Sequence, residues 1–527
     1  KKPAFSSCQK LHYVPSLRQH SVTSIPEASI LLRPEAREPN MSSATFACAA
    51  ALLLHGETHG FSPHGFATRS LPNIPATGWR QSNIFSTAED VSTVKDDPPS
   101  KTFLKKEREA IAKKKDFLRG AGVFKDVKTG VTAAMKDQFD STLLNEIKES
   151  SNYMVVKGDI EFYLAKDYGF CWGVERSINL AYSALETFPE ANFHITNELI
   201  HNPMVNDKLH EKNVNFIAKD EENNKDFSDI KKGDVVMLPA FGATLDEMKM
   251  LDTKGVKVVD TTCPWVAKVW NTVHTHQVRG LTSIIHGKYL HEETMATKSM
   301  CETYICVKNI DEAEMVADFM INAEPGDGKA EAFLDHFKKA CSPHFDPHVH
   351  LTKIGLANQT TMYKKETRAI GQLLQKTVMK KFGPENINDH YYEFDTICDA
   401  TQVRQDAVEE LCNMHDDPSK PSLDLILVVG GFDSSNTAHL LEIPQMRGVR
   451  SFHINESACI TAENTIKHRT VDGDIIVEPF LSDVNPRKDG SKLRIGVTSG
   501  ASTPDKEVQD ALSQIIMLQK LFHTINV

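Results

Sequence analysis

The chain has 527 residues, 40% hydrophobic and 25% charged, with a formal net charge of −11. At roughly 150 residues per domain, that length suggests three or four domains with sizeable cores. The acidic balance argues against a general nucleic-acid binder, and no apolar run reaches the ~18–20 residues of a membrane helix.

The charge is uneven along the chain. Residues 1–80 hold eight Lys/Arg against four Asp/Glu, a weakly basic front on an acidic body. Residues 1–100 are rich in Ser, Pro, Thr and Ala without a sustained period and read as a disordered leader. Within it, ATFACAAALLL (44–54) has the character of a signal-peptide apolar region. The following FSPHGFATRSLPNIPATGWRQSN contains no acidic residue and resembles an organelle transit peptide.

A helical lead-in is predicted over 101–157. It comprises a Lys/Glu-rich helix over 101–120 and an amphipathic helix over 132–149, with Met135, Phe139, Leu143, Leu144 and Ile147 on one side. From about Gly158, strand-like runs alternate with helical patterns: EFYLAKDY, DVVMLPAF, VKVVD, TSIIHG, TYICV, KIGLAN, YYEFD, LILVVGG and LRIGVTSG. That alternation predicts an α/β fold with parallel sheets. Residues 309–351, acidic and then His/Pro-rich, read as an insertion.

One local pattern occurs three times. A strand runs into Cys171, Cys263 or Cys398, and a helix follows each time; Pro264 and Asp399 are suitable helix-start residues. A cysteine at such a turn lies near the positive end of a helix dipole, which favours thiolate. With spacings of 92 and 135 residues, the three belong to different sheets, and three similar domains packed about one centre would bring them together. Three converging thiolates suit either zinc with a fourth ligand or a 4Fe–4S cluster with one iron free of protein sulfur. The other pairs, Cys301-x4-Cys306 and the His-rich CSPHFDPHVH (341–350), read as packing and surface loop.

Other strand ends carry small polar residues: Ser434-Ser435-Asn436, Thr498 to Ser502, and Asn358 to Thr361. Hydroxyls and main-chain N–H groups at helix starts suit phosphate oxygens, and no Walker A loop is present. His201 is placed to meet an anion, while His291 and Glu293 set an imidazole and a carboxyl side by side as proton-handling groups. A zinc-stabilised phosphate-ligand-binding protein and a phosphate-ester hydrolase are the alternatives these residues leave open.

Together GFCWGVERSI, ITNELIHNPMVN, LPAFGAT, DTTCPWV, IIHGKYLHEET, NQTTM, DTICDATQVRQDAV, DSSNTAHL and GVTSGASTPD resemble the LytB-like 4-hydroxy-3-methylbut-2-enyl diphosphate reductase family, from about Gly158 to Gln519. The resemblance implies an oxidoreductase of the methylerythritol phosphate pathway, with three α/β domains (158–262, 263–396 and 397–527) around one central 4Fe–4S cluster. It implies that Cys171, Cys263 and Cys398 are the metal ligands, and that the substrate hydroxyl meets the open iron. By the same resemblance His201, Ser434, Ser435, Asn436 and Ser502 hold the diphosphate, His291 and Thr360 lie near the hydroxyl, and Glu293 supplies protons. Reductive dehydroxylation would then give isopentenyl and dimethylallyl diphosphates. Phe241 is a departure, standing where many bacterial members carry a histidine in the diphosphate pocket. The AFGAT form, Trp172 and HGKYLHEET resemble the plant and cyanobacterial branch, which implies ferredoxin as electron donor and the plastid stroma as location, reached by a leader of one or two parts.

Overall fold

Short runs buried at every position, polar residues included, form the strands at the heart of the molecule. Thr282–His286, Ile354–Asn358 and Leu425–Val429 are buried at every position, as parallel strands covered on both faces by helices must be. The computed structural model describes residues 103–220, 224–420, 422–481 and 491–525. The leader expected over 1–100 lies outside the described residues.

There are three sheets among the described residues. The first is wholly parallel, in the order Phe117–Arg119, Lys257–Asp260, Val235–Leu238, Phe193–Ile195 and Val214–Phe216. The middle sheet, also parallel, runs Tyr391–Glu393, Ile354–Asn358, Thr282–His286 and Tyr304–Val307. The third has seven strands, in the order Ile475–Pro479, Thr465–Arg469, Ser451–Ile454, Leu425–Val429, Leu493–Ser499, Ile160–Leu164 and Met154–Lys157. Its centre is parallel and its outer strands antiparallel.

Sheet membership does not follow chain order. Ile160–Leu164, at the start of the stretch 158–262, pairs in register with Leu493–Val497 of the third sheet. Phe117–Arg119, from the lead-in, forms the edge of the first sheet. Each of the three cysteines lies where the chain leaves one sheet for a helix packed on another. The third-sheet strand Ile160–Leu164 leads through Cys171 to Trp172–Thr187, whose Ile178 and Ala181 pack with Ile195, Met237 and Val259 of the first sheet. The first-sheet strand Lys257–Asp260 leads through Cys263 to Pro264–Arg279, which packs on Thr282–His286 and Ile354–Asn358 of the middle sheet. The middle strand Tyr391–Glu393 leads through Cys398 to Asp399–Asp416, whose Val408 and Leu411 pack with Ile426 and Val428 of the third. The route is cyclic, and the cysteines sit at its three crossings.

The lead-in differs from the prediction. The expected helix over 101–120 is helical only over Phe103–Ala112 and then becomes strand. The expected helix over 132–149 is two, Lys128–Phe139 and Thr142–Glu149, because Ser141 stops one and caps the other, its Oγ accepting from Leu144 N at 2.9 Å. Met135 and Phe139 join the core under the first sheet, whereas Leu144 and Ile147 join that of the third. A single apolar stripe in sequence thus serves two cores. The 309–351 segment forms the helices Ile310–Asn322, Lys329–Phe337 and Pro347–His350. Val316, Phe319, Phe333 and Phe337 bury it against the middle sheet.

Candidate active site

The three crossings open on one cavity of roughly 720 Å³, counted out to its mouth. All eleven side chains singled out in the sequence line it: Cys171, Cys263 and Cys398; His201, Ser434, Ser435, Asn436 and Ser502; and His291, Glu293 and Thr360.

Each cysteine is the N-cap of its helix. Cys171 Sγ accepts from Val174 N at 3.4 Å. The dipole expectation is only partly met. Burial pushes the Cys263 thiol up to about 11 and the Cys398 thiol up to about 12, against the lowering pull of the helix amides of Trp265 and Val266, and of Ala400 and Thr401. Desolvation therefore outweighs the first-turn amides, and deprotonation must be driven by what the sulfurs ligate. Gly173 lets the start of Trp172–Thr187 approach these sulfurs closely: an added Cβ would stand 2.5 Å from Cys263 Sγ and 3.8 Å from Cys171 Sγ. Among the described residues, no group of three or more His, Cys, Asp or Glu side chains could hold a metal ion. The three sulfurs line the same cavity.

The same cavity is also lined by hydroxyl, amide and imidazole groups. Ser434 caps Ser435–Met446, its Oγ accepting from Thr437 N at 3.3 Å and from Thr437 Oγ1 at 2.9 Å. Asn436 Oδ1 accepts from Ala501 N at 2.9 Å, which aims the amide nitrogen elsewhere. Asn436 Nδ2, Ser435 Oγ and His201 Nε2 are all buried without a protein partner. Each such orphan costs about 1–3 kcal/mol, so two at the start of Ser435–Met446 and a third on the His201 loop, all lining one cavity, suit a ligand rich in acceptors. His201 is held on three sides. Its Nδ1 is 2.9 Å from Glu198 Oε2, its main-chain oxygen accepts from Ser502 Oγ at 3.2 Å, and its ring stacks on Phe241 at 4.7 Å and 12°. Phe241 thus acts as a platform for the imidazole. Glu198 escaped notice in the sequence; its place three residues before His201 was the available signal.

Glu293 lines the cavity too. Its Oε1 accepts from Thr360 N at 2.6 Å and its Oε2 from Thr360 Oγ1 at 2.9 Å. Burial nevertheless lifts the carboxyl to about 7, opposed by those two bonds and by the nearby His201. His291 Nδ1 accepts from Glu293 N at 3.2 Å. Burial, with His201, Lys288 and Lys219 nearby, holds His291 well below the usual histidine range. A neutral imidazole accepting at Nδ1 carries its proton on Nε2. One cavity thus gathers three thiols, unpartnered hydroxyl, amide and imidazole groups, and a carboxyl that burial lifts to about 7.

Fold and cavity together define an α/β protein with a three-thiol, anion-accepting centre equipped for proton transfer. The family profile described as LytB protein matches residues 162–516. A 4-hydroxy-3-methylbut-2-enyl diphosphate reductase of Picosynechococcus sp. is 47% identical over 388 residues, spanning 74% of this chain and 92% of its own. A chloroplastic enzyme of the same name from Botryococcus braunii is 49% identical over 374 residues, 71% of this chain and 72% of its own. The solved structure of the E-1-hydroxy-2-methyl-but-2-enyl-4-diphosphate reductase from Plasmodium falciparum aligns over 67% of this chain and 86% of its own, with 23% identity and a TM-score of 0.46. The chain belongs to the LytB family.

Proposed function

We infer that this LytB chain is a 4-hydroxy-3-methylbut-2-enyl diphosphate reductase, acting in the non-mevalonate route to isoprenoids. The reading is carried by one observation: three thiols, an anion pocket and a proton-holding carboxyl share a single cavity. The thiols Cys171, Cys263 and Cys398 would hold one 4Fe–4S cluster; their convergence on one cavity supports this. When bound, such a cluster supplies the electrons and the Lewis acidity that carbon–oxygen cleavage needs.

The protein's own residues do the rest. His201 Nε2, Ser435 Oγ and Asn436 Nδ2, with Ser434 and Ser502 beside them, bind the diphosphate and thereby set where the hydroxyl falls. His291 Nε2–H and the Thr360 hydroxyl orient that hydroxyl. Glu293, protonated to a large extent at neutral pH, releases a proton as the hydroxyl leaves as water. Two electrons and two protons are consumed overall, and isopentenyl and dimethylallyl diphosphates result. An electron donor of the ferredoxin type would find two aromatic contacts near the sulfurs. Trp172 is 62% exposed beside Cys171, and Lys268 lies over Trp265 at 4.5 Å beside Cys263. The helices of the described residues include none long and apolar enough to cross a membrane. A weakly basic front over residues 1–80 and a chloroplastic relative from Botryococcus braunii support action in the plastid stroma. The three sheets support a reading as three α/β domains that exchange strands and helices at their borders.

The direct test is anaerobic purification followed by iron and sulfide analysis and a substrate-reduction assay. About four iron and four sulfide per chain with reductant-dependent turnover is the expected result. Stoichiometric zinc, or turnover without reductant, would overturn the assignment. For the anion pocket, Ser435→Ala and Asn436→Ala should each weaken inorganic pyrophosphate binding by about 10–100-fold, the loss of one hydrogen bond to a charged acceptor. The change should fall on KM more than on kcat. Unaltered pyrophosphate affinity in both variants would remove these residues from the pocket's function.

A further inference from the structure

Arg404 is a buried cation behind the sulfurs. It lies on Asp399–Asp416, the helix that Cys398 caps, and is 5% exposed. Its Nη1 donates to Ala400 O at 2.8 Å, and its Nη2 donates to Gly169 O at 2.7 Å and Tyr168 O at 3.3 Å. Tyr168 and Gly169 form the turn that delivers Cys171. That turn has no slack: Gly169 has φ +71°, and a Cβ on it would stand 2.6 Å from Asp505 Oδ1. One planar guanidinium therefore ties the turn before Cys171 to the helix start after Cys398.

Among the described residues its hydrogen-bond acceptors are these three neutral carbonyls, and its Nε is buried without a protein partner. A buried cation costs several kcal/mol unless an anion faces it. Burial does push this guanidinium down, and of the charges opposing that effect Cys171 comes first, followed by Asp167, Cys398 and Asp505. Asp505 is already engaged by Lys148 at 3.0 Å. Two of the four opposing charges are therefore the sulfurs of Cys171 and Cys398, in the deprotonated form that ligation requires, alongside the carboxylates of Asp167 and Asp505.

We propose that Arg404 is a positioning residue for the sulfur centre: it sets Cys171 against Cys398 and supplies the buried positive charge that balances them. The proposal rests on the reading that these cysteines hold an iron–sulfur cluster, and the experiment separates the two. The full wild-type chain, loaded anaerobically, is analysed for iron and sulfide; absence of both overturns the cluster reading and this assignment with it. With a loaded wild type, Arg404→Lys and Arg404→Met are compared for iron release to a ferrous chelator and for the midpoint of an EPR-monitored redox titration. Lysine keeps the charge but cannot span both sets of carbonyls, so Arg404→Lys should release iron several-fold faster at a near-wild-type midpoint. Arg404→Met should also release iron faster and titrate at a more negative midpoint, because adding an electron is harder without the neighbouring cation. A wild-type release rate in Arg404→Lys overturns the positioning role, and a wild-type midpoint in Arg404→Met overturns the charge role. If Arg404→Met does not fold, the Arg404→Lys release rate decides: faster release supports the assignment, and wild-type release overturns it.

Discussion

Glu293→Gln should retain iron, sulfide and substrate affinity while losing about 10²–10⁴-fold in kcat, the range of a positioned proton donor. Glutamine preserves the shape of the carboxyl but has no proton to release to a departing hydroxyl. It can still accept from Thr360 N, where Glu293 Oε1 now accepts at 2.6 Å, so the loop should keep its place. The pH dependence follows from the same group. Burial lifts the carboxyl to about 7, so its proton is present below that value and is lost as pH rises through it. Turnover should therefore fall about tenfold per pH unit well above 7, and Glu293→Gln should lack that limb. Near-wild-type turnover in the variant, or an unchanged alkaline limb, would show that the proton comes from elsewhere.

Gly173→Ala should disturb the sulfur centre directly. Its new methyl group would lie 2.5 Å from Cys263 Sγ, closer than side-chain carbons approach, in the space between two of the thiols. Either Cys263 moves or the helix Trp172–Thr187 shifts on the first sheet, and both spoil the three-sulfur geometry. We expect retention of the bound metal to weaken by about 10–100-fold, the range seen when groups around a ligand set are disturbed. Circular dichroism should remain close to wild type, since the methyl group meets a cavity wall and not the core of a sheet. Equal iron content in Gly173→Ala and wild type after dialysis against a chelator would refute this account.

Much of this site was legible in the sequence for a local reason. A strand run ending in Cys, Ser or Thr and followed by a helical period specifies a strand-to-helix turn, and in parallel sheets those turns face one end. The same logic placed Ser434 at a helix start without any knowledge of its neighbours. What stayed hidden depends on contacts distant in sequence. The register of Ile160–Leu164 with Leu493–Val497 joins residues more than 300 positions apart, and no periodicity in either segment reports its partner. The break at Ser141 was masked because Met135 to Ile147 keeps a helical spacing across it, although two different cores use the two halves. The thiols show the limit of reasoning from a helix dipole alone. The amides act in the expected direction, but the burial that opposes them is a property of the closed cavity. Arg404 was not singled out, because nothing around it in the sequence indicates the turn of Tyr168 and Gly169 that it reaches.

The cyclic route of the chain through its three sheets has a bearing on quality control. Each crossing is a covalent joint between two layers, and all three joints end on the same cavity. A group gripped there restrains every layer boundary at once, so its binding free energy is added to the stability of the whole body. Loss of that group releases the three boundaries together. The emptied chain would then be the form most open to proteases and chaperones, so that chemical damage at a few atoms sets how long the polypeptide survives.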